Sequence, residues 1–158
     1  MSELILFAEL VPSTSWYDNL RKVMSKEDWD SIRFQVYGYY EHQCAICKAR
    51  GSLHCHEVWH YDDVAHIQTL EGFVALCPWC HHIKHLGYAG ILASEGKLDY
   101  AKLIRHFMTV NSCDKAAFDS HHSAAMAQWE RRSKHPWRVE IGEYAQWVQA
   151  PRRLRTRV

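Results

Sequence analysis

The sequence predicts an α+β protein in which two strands and a short helix are held together by metal, with further helices on either side. Three observations carry that expectation. Two Cys-x-x-Cys pairs, Cys44-Ala-Ile-Cys47 and Cys77-Pro-Trp-Cys80, bracket a histidine-rich stretch. Residues 53–59 are rich in residues that suit a strand, and 73–76 (Phe-Val-Ala-Leu) read as a second. Outside the bracketed stretch, apolar residues recur at the three- and four-residue spacing of amphipathic helices.

Taken in order, residues 3–8 read as a short strand or a packed arm, and Pro12-Ser-Thr-Ser turns the chain into a first short helix near 16–23. Ser25, with Asp28 three residues later, reads as an N-cap with an acidic first turn. Trp29, Ile32, Val36 and Tyr40 then predict a helix over 26–42 whose apolar stripe faces a core. Gly51-Ser52 marks a turn, 53–59 a strand, Tyr61-Asp62-Asp63 a loop, 67–70 a short extension, Glu71-Gly72 a turn and 73–76 a second strand. From Trp79 a helix sets His81 and His85, four apart, on one face, with Gly87 and Gly90 weakening it. Helices are expected over 97–110, where Asn111 is a stop, and over 114–132. A strand over 137–141, a last helical turn over 143–148 and a tail carrying Arg152, Arg153, Arg155 and Arg157 complete the chain.

No repeat or low-complexity linker divides the sequence, so one domain is expected over 1–158. It comprises an N-terminal helical extension (1–43), a metal-pinned core (44–90), a C-terminal helical extension (91–150) and the basic tail (151–158). A domain of 158 residues can bury roughly 70% of the surface its unfolded chain exposes. An apolar share of 47% and a charged share of 23% are those of a soluble globular protein. The formal charge of +1 does not itself point to nucleic acid, so any basic surface must be local. The N-terminus lacks a basic leader, and its apolar run is shorter than a secretory core or a membrane span. A cytoplasmic protein with no membrane association is expected.

Four of the six cysteines sit in the paired motifs, a spacing that favours metal in a reducing compartment over disulfides. Zinc takes four soft ligands at tetrahedral corners, and each knuckle delivers two thiolates. Cys44, Cys47, Cys77 and Cys80 are therefore the expected ligands of a structural zinc ion. Cys55 and Cys113 read as small packed residues. Eight of the twelve histidines lie between His42 and His85. Imidazole is a common transition-metal ligand, and His56, His81 and His85 stand out because the zinc site would hold the strand bearing His56 beside the helix bearing the other two. His42, His60, His66 and His82 read as packed or solvated side chains.

The order Cys44-x-x-Cys47, His56-Glu57-Val58-Trp59, Leu76-Cys77-x-x-Cys80-His81-x-x-x-His85 resembles the HNH nucleases of the ββα-metal type, in particular their zinc-knuckle branch in bacteria and phages. Leu10-Val-Pro-Ser-Thr-Ser-Trp-Tyr-Asp-Asn-Leu-Arg and the Lys84-His85-Leu-Gly run are similar to a subgroup of that family, extending the likeness over most of the chain. The resemblance implies a small ββα-metal (HNH) core with a four-cysteine zinc site, surrounded by N- and C-terminal helices, and a metal-dependent endonuclease acting on nucleic acid, with double-stranded DNA as the partner. It implies His56, His81 and His85 as ligands of a catalytic divalent ion. Three imidazoles suit zinc or nickel, whereas phosphate chemistry commonly uses magnesium or manganese, so all four ions remain open.

Glu57 stands where the family keeps a general-base histidine, and Gly72 where it keeps an asparagine. Glu57, with His56 beside it, is the expected catalytic residue, acting as base; the alternatives are that it binds metal, or orients a neighbour while His54 or His60 serves as base. Asp62 and Asp63 read first as a solvated turn, with a contribution to the site as the alternative. Lys84, Lys48 and Arg50 are the expected phosphate contacts, and the arginine tail could add more. Cutting two strands usually needs two sites, which makes a homodimer an expectation. Two other classes compete: a non-catalytic zinc module that binds nucleic acid or protein, and a zinc nucleobase deaminase suggested by Cys55-His56-Glu57 before a Cys-x-x-Cys pair. The deaminase pattern needs proline directly before that pair, and here Pro78 lies inside it.

Overall fold

The computed structural model describes residues 3–15 and 19–147. Residues 4–11 form an arm rather than a strand. It is strapped to the body by Asn111, whose Oδ1 accepts from the amides of Ile5 (2.9 Å) and Leu6 (3.0 Å) while its Nδ2 donates to the Leu6 carbonyl (2.8 Å). Further along, the Ala8 amide donates to His121 Nε2, the Glu9 amide to the Lys84 carbonyl, and Trp129 Nε1 to the Val11 carbonyl. Leu6 is wholly buried by this strapping.

The first helix, α1 (Leu20–Val23), is short, with Asn19 Oδ1 accepting the Lys22 amide. Its expected start at 16–18 lies outside the described residues. Helix α2 (Lys26–Tyr39) begins as the sequence predicts, the Ser25 hydroxyl accepting the Asp28 amide and Trp29 and Ile32 buried. It stops before the expected residue 42 because Glu41 and His42 take positive φ, with the His42 amide bonding the Tyr37 carbonyl and the Glu41 amide the Gly38 carbonyl. That pattern satisfies the last helical carbonyls and swings the chain into the first knuckle.

Strand β1 (His54–Asp62) pairs antiparallel with β2 (Ile67–Leu76), from His54 opposite Leu76 to Asp62 opposite Ile67. Both strands outrun the expected boundaries. Glu71-Gly72 is not a turn: the register shifts between Val58 and Trp59, leaving Glu71 as an extra residue, and Gly72 takes φ 156°, which side chains rarely adopt. A glycine that reads locally as a chain reversal is thus a bulge inside one strand, because pairing with β1 resumes on both sides of it. The reversal falls after Asp62, whose Oδ1 accepts from the Val64 (2.9 Å) and Ala65 (2.8 Å) amides.

Helix α3 (Pro78–Lys84) is broken from α4 (Leu86–Ser94) at His85, whose φ −104° and ψ 50° are not helical. Gly87 and Gly90 are accommodated within α4. Helices α5 (Tyr100–Asn111) and α6 (Lys115–Arg132) follow, capped by Asp99 and Asp114. Strand β3 (Arg138–Glu140) then joins parallel to β2, and a 3₁₀ helix (Gly142–Trp147) ends the described chain. The arginine tail lies outside the described residues. Among the described residues the architecture is α+β, with six α-helices and a three-stranded sheet of order β1-β2-β3 that leaves β1 at a free edge.

Apolar residues gather in two clusters. One joins Leu6, Cys44, Leu76, Cys80, Ile83, Leu103, Phe107 and Phe118; the other joins Leu20, Trp29, Ile32 and Ile141, with Cys55, Trp59 and Phe73 packed against it. Alternation along β1 therefore sends Cys55 and Trp59 toward α1 and α2, and His54 and His56 toward α3. Among the described residues no helix is long and apolar enough to cross a membrane.

Asn111→Ala would leave two arm amides and one carbonyl without partners at a largely buried position, and unfolding should be easier by about 3 kcal/mol. The check is the urea midpoint at unchanged slope; a midpoint equal to wild type would refute the strap.

Candidate metal centres

Cys44 and Cys47 lie on the turn after α2, where the Cys44 amide bonds the Ala49 carbonyl and the Ala45 amide bonds Ala75 at the end of β2. Cys77 caps α3, its sulfur accepting the Cys80 amide at 3.4 Å, and Pro78 opens the helix where an amide would have no partner. The four Sγ atoms come within 4.8 Å of one another, with Cys47 and Cys77 3.6 Å apart. A zinc-sulfur bond of about 2.3 Å requires tetrahedral edges of roughly 3.8 Å, so this group can hold a structural metal such as zinc.

The thiols govern one another's ionisation. Hydrogen bonds from Cys77 and Cys80 hold the Cys44 thiol far below its usual range, while their bonding to Cys44 raises Cys77 to about 11 and raises Cys80 still more strongly. Binding a dication through four thiolates must therefore release protons. His106 of α5 adds a contact that no spacing in the sequence announced, its Nε2 standing 3.1 Å from Cys80 Sγ, placed to donate to a bound thiolate.

His56 on β1, His81 on α3 and His85 at the α3/α4 break form a second group, each offering a ring nitrogen within 4.8 Å of the others. Their rings meet nearly edge to face: His56 with His81 at 5.6 Å, His56 with His85 at 5.0 Å, His81 with His85 at 4.7 Å. Metal-nitrogen bonds of about 2.1 Å need edges of roughly 3.4 Å, which fits three such rings. Burial, then the neighbouring His85 and His56, pushes His81 down to about 2; burial and His56 push His85 down to about 4. Both rings are neutral at pH 7, with lone pairs able to bind a cation.

A carboxylate missed by sequence reading joins this group. Glu9, on the arm, places Oε2 3.0 Å from His56 Nε2 and Oε1 2.9 Å from Lys84 Nζ. Burial pushes its carboxyl up, but the His56 bond and the Lys84 charge outweigh that and hold it below its usual value. Glu9 lies 47 residues before His56, and no motif spans that gap.

Lys84 corrects an expectation. It is only 4% exposed, bonded to Glu9 and lying 3.7 Å from the Phe7 ring, because the arm covers this part of α3; it does not present its charge to a phosphate. Lys48 and Arg50 are exposed on the knuckle, Lys48 Nζ bonding the Ala45 carbonyl. Glu57, buried and next to His56 in sequence, points to the other side of β1, where its Oε1 accepts the Leu20 amide at 2.8 Å and so braces the start of α1. His54 is exposed and stacks on His81 at 4.7 Å. His60, near the far end of β1, is exposed and 3.9 Å from Glu71. Asp62 shapes the turn, and Asp63 pairs with Arg132.

A cavity of about 740 Å³ runs along the free edge of β1, bordered by His54, His56, His81 and His85 on one side and by Glu57 and Trp59 on the other. Arg21 and Arg33 also line it, and Arg33 is paired with Asp30. The deaminase arrangement is not formed, because Cys77 and Cys80 group with Cys44 and Cys47 rather than with His56. The chain matches no family model, no curated protein and no solved structure.

The cysteine group should retain one zinc per chain through purification. Cys77→Ser should release it together with most of the folding free energy, since such sites contribute on the order of 10–16 kcal/mol. Elemental analysis and chelator-induced loss of circular dichroism check this; a chain fully folded after zinc removal would contradict it.

Proposed function

We propose that this protein is a metal-dependent endonuclease of the HNH type, with a ββα-metal core, that hydrolyses phosphodiester bonds in nucleic acid, double-stranded DNA foremost. The supporting observation is the meeting of His56 from β1 with His81 and His85 from α3 and its C-terminal cap, beside a largely buried four-cysteine group, in the lining of a cavity. His56, His81 and His85 would hold a divalent ion there, which would stabilise charge developing on the phosphate.

The chain's own groups supply the rest. His54 borders the cavity, is exposed and is stacked on a ligand ring, so it is the group placed to take a proton from the attacking water. Water oxygen bonds to phosphorus, its proton passes to His54, and the bond to the leaving 3′ oxygen breaks, with solvent returning a proton to that oxygen. Glu57 holds α1 against the strand. Arg21 is the cation best placed at the cavity to hold a phosphate, with Lys48 and Arg50 contacting the backbone further out.

The occupied state of Glu57 supports a second reading, a zinc module that binds nucleic acid or protein without cutting it. A plasmid-nicking assay across magnesium, manganese, zinc and nickel separates the two. Cutting that is abolished in His56→Ala and His81→Ala is the expected result. DNA binding without cutting under every ion would establish the second reading instead. Within the first, His54→Ala should slow cleavage by about 10²–10⁴-fold, as loss of a general base does. Glu57→Gln should chiefly lower stability; the reverse pattern would make Glu57 the base.

A further inference from the structure

We infer that Glu9 is a positioning residue for the three-histidine centre, fixing the tautomer and orientation of His56 from the N-terminal arm. The inference rests on the metal-centre reading above. Its starting point is a geometry that leaves the carboxylate little freedom. One oxygen lies 3.0 Å from His56 Nε2, the other lies 2.9 Å from Lys84 Nζ, and the Glu9 amide donates to the Lys84 carbonyl. Both His56 and Lys84 are only 4% exposed, while the Glu9 side chain between them is 24% exposed, so the contacts are partly shielded from water.

An ionised carboxylate can only accept a hydrogen bond, so the proton of the His56 contact belongs to Nε2. Nδ1 is then the nitrogen that carries a lone pair. A carboxylate on the far nitrogen of a metal-bound imidazole fixes which nitrogen faces the ion and makes it a stronger donor. Lys84 holds the second oxygen, so the carboxylate does not turn away from the ring. Glu9 itself lies outside the set of groups whose ligand atoms all fall within 4.8 Å of one another, which fits a brace rather than a fourth ligand. The arm keeps that brace in register: Asn111 clamps Leu6 and His121 holds the Ala8 amide immediately before Glu9.

Removing Glu9 alone would strand the buried Lys84 charge, so the test is made in a Lys84→Met background. Glu9→Gln keeps an oxygen that accepts from His56 Nε2, whereas Glu9→Leu of similar volume keeps none. Protein holding zinc at its cysteines is titrated with Co²⁺, and the visible d–d bands of the ion at the histidines report affinity and coordination. The Leu variant should bind Co²⁺ about 10–100-fold more weakly than the Gln variant, the usual cost of losing such a partner. Once loaded, the Gln variant should show the band pattern of wild type, and both variants should retain the cysteine-bound zinc. Equal affinities in the two variants would overturn the inference while leaving the metal centre intact. A band pattern in the Gln variant unlike that of wild type would overturn it by making Glu9 a ligand. Wild-type protein that takes up no Co²⁺ beyond its zinc would overturn the centre as well.

Discussion

Four sulfur atoms from two turns meet within 4.8 Å, and most of the fold follows from that meeting. Cys77 directly follows β2, so the knuckle at Cys44 must lie across the end of the hairpin, where the Ala45 amide reaches the Ala75 carbonyl. Cys44 and Cys80 are wholly buried among Leu76, Ile83, Leu103 and Phe107. The cysteine group is therefore part of the core, and α5 packs on it rather than beside it. Burying several thiolates is unfavourable unless a cation neutralises them, so a metal held by this group would support the core.

The histidine group depends on the cysteine group. Fixing the start of α3 at Cys77 and Cys80 sets His81 one residue beyond the last sulfur, and the hairpin carries His56 opposite it. The break at His85 turns that ring away from a regular helical path and into the same space. A second layer comes from far away in sequence. The arm runs over α3, α5 and α6, delivering Glu9 to His56 and covering Lys84 in the same stroke. One strap thus accounts for both a residue gained at the centre and a surface cation lost from it.

Alternation along β1 explains why neighbouring residues take different parts. His54 and His56 face α3, while Glu57 faces α1 and is held by the Leu20 amide. The cavity follows the free edge of the strand and so meets both sides. Glu57, adjacent to His56 in sequence, is thereby given a bracing bond, and His54, two residues before His56, is left open to solvent and stacked on His81.

Much of this was legible in the residues alone. The cysteine pairs and the Ser25 cap are local patterns, and they survive into the structure because they depend on knuckle and cap geometry; His81 and His85 do come together, but through the break after Lys84 and not through one continuous helical face. Strand lengths were not legible: whether Gly72 reverses the chain or bulges within it depends on pairing with residues 58 and 59, which no short window contains. The same holds for Lys84, whose burial depends on an arm some 75 residues upstream. The sequence by itself determined which side chains could bind metal and which elements would carry them. Tertiary structure alone decided which of their neighbours reach them, because Glu9, His106 and Glu57 find their partners through packing across long chain separations.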